Sequence, residues 1–185
     1  MAESKRVFMR GFLDVETTGV NAESSYIVGY GLLDEQNCFH HVFVAPQDIF
    51  FQEALICASL IESVQKYGQI VTHGGRKFDV PMVVTRSLLH GLNPSPLLKA
   101  NMVDTLEIAW NVLCLKHNRL EDLARFFKIP KKTELNGADM PMLYLKAATG
   151  DNDALKLIEE HCKDDCTTLL QVFNNLKPIL NLAHL

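Results

Sequence analysis

Two carboxylates stand one residue apart near the start of the chain, in the sequence FLDVETTG at residues 12–19. The apolar residues before them predict a β-strand from about Val7 to Leu13, with a turn after it that leaves the pair at the exposed end of the strand. Side chains alternate between the faces of a strand, so Asp14 and Glu16 point to the same side. Like charges this close repel each other, and Mg²⁺ or Mn²⁺ would remove the repulsion. An ordinary polar strand end explains the pair equally well at this point.

A third acidic residue, Asp79, follows a glycine-rich segment in HGGRKFDVP at residues 73–81. A helix is predicted from Val80 to His90, so Asp79 lies where the turn enters that helix. The position also suits an aspartate that only caps the helix. Phe78 and the small residues after His73 favour a functional role, because small residues let a substrate backbone approach the main chain closely.

The fourth acidic candidate lies in HCKDD, residues 161–165 of a helix predicted from about Asp153 to Leu176. Asp165 borders the apolar stripe of this helix, whereas Asp164 is predicted to point toward solvent. His161 and Asp165 are four residues apart and therefore share one face of the helix. A plain surface pair at the margin of the stripe is the alternative interpretation.

The five cysteines are an odd number, widely spread and mostly in apolar contexts, which favours buried free thiols in a reducing compartment. Cys162 and Cys166, together with His161, are spaced so that they could share a zinc ion. No second Cys/His pair occurs at the spacing of a zinc finger, and both cysteines lie on the apolar stripe. Zinc is therefore the weaker interpretation of this segment.

Hydrophobic periodicity predicts the elements that must position these residues. The strand that carries Asp14 and two more strands, at residues 26–33 and 38–44, have short connections and predict an antiparallel meander. Further elements are predicted in this order: helix 51–67, strand 69–72, helix 80–90, loop 93–96, strand 102–106, and helices at about 119–127, 140–148 and 153–176. The order predicts an α/β fold, with a central mixed five-stranded sheet flanked by helices and a site at the C-terminal ends of strands.

The composition fits one domain over residues 1–185, with 48% hydrophobic and 22% charged residues. No apolar run approaches the ~20 residues of a membrane span. The first residues lack the features of a signal peptide, so a cytoplasmic location is expected. The net charge of −4 argues against a protein that coats nucleic acid by charge alone, and is compatible with an acidic site where bound cations supply positive charge.

Taken in order, the three motifs resemble those of the DEDD superfamily of 3′–5′ exonucleases, which have a ribonuclease H-like fold. FLDVETTG is similar to the first motif, HGGRKFDVP to the second and HCKDD to the third, and the resemblance spans residues 8–176. The chain looks most like stand-alone bacterial and archaeal relatives of the exonuclease domain of family B DNA polymerases. The segments VDTL at 103–106 and LEDLA at 120–124 also have counterparts there.

The resemblance implies a two-metal exonuclease that hydrolyses phosphodiester bonds at the 3′ end of single-stranded DNA or RNA. Two Mg²⁺ or Mn²⁺ ions would be held by four carboxylates, which are Asp14, Glu16, Asp79 and Asp165. His161 would be the general base, since an ordinary histidine pKa of ~6.5 suits proton transfer near neutrality. Three side chains are expected to contact the substrate: Thr17, His73 and Phe78.

Two positions depart from the family pattern. The superfamily has either Tyr-x₃-Asp or His-x₄-Asp in its third motif, whereas His161 stands at the tyrosine spacing. The second motif often has asparagine after its histidine, and this chain has Gly74. Two alternative functions remain: a non-catalytic module that binds a nucleic-acid 3′ end or a protein, and a structure-specific endonuclease. Loss of a motif carboxylate would indicate the binding module, and none is lost.

Several residues near the motifs have weaker assignments. Arg76, Lys77 and the pair Lys131-Lys132 are candidates for phosphate contacts, although solvated surface side chains are the more ordinary role. Trp110 has no aromatic neighbour in the sequence and is predicted to pack in the core. The resemblance places Asp104 near the site, where it is interpreted as structural or supporting.

Overall fold

A mixed five-stranded sheet forms the centre of the protein, of which a computed structural model describes residues 9–180. The strands are β1 Arg10–Thr17, β2 Ile27–Asp34, β3 Phe39–Phe43, β4 Gln69–Thr72 and β5 Met102–Asp104. They lie in the order β3-β2-β1-β4-β5. The first three strands are antiparallel neighbours, and β4 and β5 continue the sheet in parallel from β1. The predicted α/β fold with a mixed sheet is therefore confirmed.

Seven helices flank the sheet in the described part of the chain. They are α1 Ile49–Val64, α2 Asp79–Leu89, α3 Ser95–Leu98, α4 Thr105–Val112, α5 Leu120–Phe126, α6 Met140–Ala148 and α7 Asn152–Leu180. Short 3₁₀ turns precede α1 and α6, at Pro46–Asp48 and Gly137–Asp139. None of the helices within residues 9–180 combines the length and apolar character needed to span a membrane.

The core lies in two layers, because alternate residues of β1 face opposite sides of the sheet. Leu13 and Val15 pack with buried residues of α1 and α2 on one face. Phe12 packs on the other face with α5 and α7 residues such as Leu123 and Phe173. Asp14 and Glu16 share the face of Phe12, so the two carboxylates point toward α7.

The first strand is longer than its apolar residues predict. It continues to Thr17, past the predicted end at Leu13, because its second half pairs with β2. Asp14 pairs opposite Gly31 and Glu16 opposite Gly29, so no side chain stands directly across from either carboxylate. The prediction that the pair lies at an exposed strand end is wrong; Glu16 is only 5% exposed. The predicted start at Val7 lies outside the described residues.

Gly31 also sets how closely α7 packs on the sheet. A Cβ atom at this position would lie 2.8 Å from Sγ of Cys162, and 2.6 Å from a ring atom of Phe39. Any side chain here would therefore push α7 away from β2, and with it the residues that α7 turns toward β1.

Two short helices occur where none is predicted. The fifth strand ends at Asp104 instead of Leu106, because the Asp104 side chain accepts a hydrogen bond from the Leu106 N–H at 3.0 Å and caps α4. The loop predicted at residues 93–96 contains the start of α3, with Pro96 in its first turn.

A buried ion cluster joins α1, α2 and the start of β2. Glu53 is fully buried, and its Oε1 accepts hydrogen bonds from the Ile27 N–H and from Nε of Arg86, both at 2.8 Å. Its Oε2 lies 2.7 Å from Nε2 of His90. Burial raises the pKa of Glu53, but the hydrogen bonds from Arg86, His90 and Ile27 lower it by more, so the net pKa lies below its usual value.

We expect Glu53→Ala to lower the free energy of unfolding by about 3–5 kcal/mol, because it leaves Arg86 buried without its carboxylate. Urea denaturation at pH 7 measures this. The folded-state pKa lies below the ordinary value of 4.5. The contribution is therefore complete above that pH and is lost as the pH falls through the folded-state pKa. Glu62→Ala, at an exposed position of the same helix, is the matched control and should change stability by less than about 0.5 kcal/mol. If Glu53→Ala and Glu62→Ala lower the free energy of unfolding equally, the stabilising role of the buried Glu53 cluster is contradicted.

Candidate active site

Two adjoining cavities open where β1 and β4 end. Cavity A has a volume of about 610 Å³ and cavity B of about 570 Å³. Both are lined by the same five residues, which are Asp14, His73, Asp79, Leu106 and Asp165. Cavity B is also lined by the remaining residues predicted for the site, which are Glu16, Thr17, Phe78 and His161. The structure thus brings all eight predicted site residues to one cavity.

The two carboxylates of β1 belong to one group of candidate metal ligands. Ligand atoms of Asp14, Glu16 and Cys162 all lie within 4.8 Å of one another. Oε1 of Glu16 is buried and accepts no hydrogen bond from any described residue. A buried carboxylate oxygen without a donor is unfavourable unless a cation or water binds it.

The protein by itself stabilises three carboxyl groups of the site poorly as anions. Burial raises the pKa of Asp14 to about 7, and the charge of Asp165 adds to this effect. Burial also raises the pKa of Glu16 and of Asp79 well above their usual values, and in both the charge of Asp14 adds to it. Carboxylate oxygens are the ligands that hard divalent cations such as Mg²⁺ and Mn²⁺ prefer, and such a cation would stabilise these carboxyl groups as anions.

Cys162 lies beside these carboxylates, although it is not among the residues predicted to hold Mg²⁺ or Mn²⁺. Its Sγ donates to the main-chain oxygen of Asp14 at 3.8 Å, and Sγ of Cys166 donates to the oxygen of Gly31 at 3.5 Å. Burial raises the pKa of both thiols, so both stay protonated at neutral pH. Both cysteines are fully buried and pack in the core, as the apolar stripe of the helix predicts.

Asp79 is positioned by a turn that another aspartate holds in place. Asp104 is buried, and its carboxylate accepts hydrogen bonds from the N–H groups of Gly74 at 2.7 Å and Arg76 at 3.0 Å. Gly74 has a positive φ of 80°, which glycine adopts without strain. Asp79 is the first residue of α2 and lines both cavities. Asp104 is therefore a structural residue of the turn.

Two of the predicted substrate contacts already have partners within the protein. Nδ1 of His73 lies 2.9 Å from Oγ1 of Thr105, and its Nε2 lies 2.9 Å from the main-chain oxygen of Asn118. Burial lowers the pKa of His73. The Thr17 hydroxyl donates to the oxygen of Gly19 at 2.7 Å. Both side chains form walls of cavity B and hold its neighbouring loops.

His161 points from α7 toward two of the carboxylates. Its Nε2 lies 3.6 Å from Oδ2 of Asp165 and 3.9 Å from Oε1 of Glu16. Its Nδ1 lies 3.5 Å from Oγ1 of Thr133. Burial lowers the pKa of His161, although the charge of Asp165 opposes this, so the ring is neutral at pH 7. A neutral ring can accept a proton.

The prediction that Asp164 points toward solvent is wrong. Asp164 is 5% exposed and accepts hydrogen bonds from the N–H groups of Lys132 and Thr133, each at 3.1 Å. The segment before α6 folds across α7 at this point and covers the aspartate. The same segment places Nζ of Lys131 2.6 Å from Oδ1 of Asp165. The sequence predicts Lys131 as either a phosphate contact or a solvated surface side chain. It is the cation nearest to a motif carboxylate among the described lysines and arginines.

Arg76 lies outside the linings of both cavities, whereas Lys77 and Trp110 each line one of them. Arg76 turns away from the cavities, with Nη2 donating to the oxygen of Met102 at 2.6 Å and Nε 3.5 Å from Glu107. Lys77 lines cavity B, and its Nζ lies 5.5 Å from the ring centroid of Trp110. The prediction that Trp110 packs in the core is wrong: it is 67% exposed and lines cavity A. The helix α4 that carries it is itself unpredicted.

Comparison with known proteins identifies the fold. Among curated proteins, none matches the sequence of this chain. Its structure is similar to that of the family B DNA polymerase from the hyperthermophilic archaeon Pyrobaculum calidifontis, with a TM-score of 0.78 and 15% sequence identity. The likeness covers 94% of this chain and 25% of the polymerase chain, so this protein spans a quarter of the length of that polymerase. At this identity the likeness shows a shared fold.

The family match rests on the sequence itself. A family model described as the RNase_H superfamily matches residues 11–177, from the second residue of β1 to the last turn of α7. The matched range contains the three motifs and supports a nuclease-type function. It also confirms the ribonuclease H-like fold and the resemblance inferred from the motifs. The chain belongs to the RNase_H superfamily.

Proposed function

We propose that the protein is a metal-dependent 3′–5′ exonuclease that hydrolyses phosphodiester bonds of single-stranded nucleic acid. The observation that carries the proposal is the convergence of four carboxylates, from β1, α2 and α7, on one cavity. Burial raises the pKa of three of them, and an oxygen of Glu16 has no hydrogen-bond donor. Such a set is unfavourable by itself and becomes favourable when divalent cations bind.

The ligands of two Mg²⁺ or Mn²⁺ ions would be Asp14, Glu16, Asp79 and Asp165. When bound, such ions supply charge stabilisation to phosphodiester hydrolysis and make water a better nucleophile. His161 would accept a proton at Nε2, which faces Glu16 and Asp165. Its neighbour Thr133 would hold the ring through Nδ1. Lys131 would orient Asp165, because its Nζ lies 2.6 Å from Oδ1 of that carboxylate.

The alternative functions use the same fold differently. A module that only binds a 3′ end would have no need for four carboxylates in one cavity, so their retention favours the enzyme. An endonuclease would use the same carboxylates. It would differ from an exonuclease because its cavity would admit a continuous strand and not only a strand end. The position of a label on the digested strand separates exonuclease from endonuclease action.

We expect Asp14→Asn to stabilise the metal-free protein at pH 8. The folded-state pKa of Asp14 is about 7, above its ordinary value of 3.8, so the folded protein binds the proton more tightly. The free energy of unfolding therefore falls as the pH rises from 3.8 to about 7. The amide removes that loss, so the Tm of the variant in EDTA should exceed that of the wild type by at least about 3 °C at pH 8. The difference in Tm between the variant and the wild type should be smaller at pH 5.

Two controls accompany these melting curves. Glu62→Gln replaces an exposed carboxylate of α1 and should leave Tm unchanged at both pH values. Added Mg²⁺ or Mn²⁺ should raise the Tm of the wild type more than that of Asp14→Asn. A variant that melts below the wild type at pH 8 in EDTA would show that the site carries no uncompensated charge.

We expect 5′-labelled single-stranded oligonucleotides to give a ladder that shortens from the 3′ end with Mg²⁺ or Mn²⁺ and not with EDTA. Asp14→Asn and Asp79→Asn should each lower the rate by at least about 100-fold, since even an outer-shell partner of a metal is worth about 10- to 100-fold. Asp153→Asn is the matched control, because that side chain is 83% exposed and lies outside both cavities. Comparing DNA with RNA determines the sugar preference. Tight 3′-end binding without cleavage would refute the enzyme and favour the binding module.

We expect His161→Gln to lower the single-turnover cleavage rate by about 100-fold or more while oligonucleotide binding is retained, as for loss of a general base. Glutamine keeps a polar side chain of similar length but cannot accept the proton at neutral pH. Single-turnover rates and the Kd for a labelled oligonucleotide in EDTA separate the two effects. A rate close to that of the wild type would assign the proton transfer to another group.

A further inference from the structure

Trp110 is the single tryptophan of the chain, and it is an exposed wall of the cavity that contains the carboxylates. Its exposed fraction is 67%, whereas tryptophan is highly buried on average because its ring is large and apolar. Cavity A places it on the same lining as Asp14, Asp79 and Asp165. An exposed aromatic ring beside a charged site requires an explanation other than packing.

The helix α4 presents an apolar face that leads from the carboxylates to this ring. Leu106 and Trp110 are four residues apart on α4 and therefore lie on one face. Leu106 lines both cavities, and Leu115 in the segment after α4 lines cavity A. The turn of the second motif is packed against this face, because a Cβ atom at Gly74 would lie 3.2 Å from Cδ2 of Leu106. The position of Trp110 is thus linked to the turn that positions Asp79.

The surroundings of Trp110 are basic, although the protein carries a net charge of −4. Nζ of Lys77 lies 5.5 Å from the ring centroid, a distance that allows a cation–π interaction. Lys116, His117 and Arg119 line the same cavity and are all exposed. Nη1 of Arg119 lies 3.3 Å from Oε1 of Glu121 in the same lining. Cavity A therefore offers two further basic side chains, Lys116 and Arg119, on the lining that Trp110 shares. Exposed aromatic rings alternating with basic side chains are how proteins hold single-stranded nucleic acid.

We propose that Trp110 is the stacking platform for a base of single-stranded nucleic acid whose 3′ end reaches the carboxylates. The inference rests on the proposed function and adds to it the place where the strand is held. A base that stacks on the ring replaces the contact with Lys77, whose exposed ammonium group then pairs with a neighbouring phosphate. Since every base has an aromatic face, the platform accepts any sequence.

The single tryptophan makes the proposal directly measurable, since all tryptophan fluorescence comes from position 110. The full chain in EDTA is titrated with a ten-nucleotide oligo-dT and a ten-nucleotide oligo-U, and 5′-fluorescein versions of both give the Kd by polarisation. Emission should be quenched in parallel with binding, and the two oligonucleotides distinguish DNA from RNA. Heparin, a polyanion without bases, should leave the emission nearly unchanged. Equal quenching by heparin would show that charge alone is sensed and would overturn the proposal.

Two variants separate stacking from charge. Trp110→Ala should raise the Kd by about 5- to 100-fold, while Trp110→Phe should recover most of the affinity. Lys77→Gln should reduce the slope of log K against log salt by about 0.7, as for one phosphate contact on a single strand. Because both side chains are exposed, Tm should be unchanged. If the oligonucleotide binds without changing the emission, and Trp110→Ala binds it with the wild-type Kd, the stacking proposal is overturned. The proposed exonuclease function is not affected by that result. Absence of binding and of cleavage for both oligonucleotides would overturn both.

Discussion

The structure depends on keeping several carboxylates of one cavity close together and poorly solvated. Asp14 and Glu16 point from the middle of the sheet toward α7, and Asp79 enters from α2. A charge taken out of water costs several kcal/mol unless it is paired. The surrounding structure holds these groups in position instead of relieving the repulsion. Glycines stand opposite the β1 pair, and buried Asp104 holds the turn before Asp79.

The direction of the pKa shift separates the carboxylates of the scaffold from those of the site. Glu53 is as buried as Glu16, yet its pKa is lowered because Arg86, His90 and Ile27 donate to it. Glu16 has an oxygen without a donor, and its pKa is raised. Both kinds of buried acid therefore occur among the described residues, and Glu16, which has an oxygen without a donor, faces the cavity. Acids with a raised pKa in a cavity indicate a candidate functional site, whereas paired acids between helices contribute to stability.

Local patterns are sufficient to predict most of the sheet and the residues that converge on cavity B. Side-chain alternation placed Asp14 and Glu16 on one face, and helical spacing placed His161 beside Asp165; neither depends on distant parts of the chain. Asp164 was assigned wrongly because its partners, Lys132 and Thr133, are about thirty positions away and belong to a segment without periodicity. Trp110 is predicted to pack because it has no aromatic neighbour in the sequence, and this prediction is wrong because α4 places the ring at the edge of cavity A.

The helix α7 carries a structural aspartate, Asp164, directly beside an aspartate of the candidate site, Asp165. Successive residues of an α-helix are rotated by about 100°, so adjacent aspartates face different surroundings. Asp164 holds the segment that precedes α6, and this contact brings Lys131 within 2.6 Å of Asp165. Asp165 in turn raises the pKa of Asp14 through its charge, while Lys131 lowers it. The structural aspartate therefore controls the electrostatics of the site indirectly, by fixing the position of the one ammonium group that contacts a motif carboxylate among the described residues.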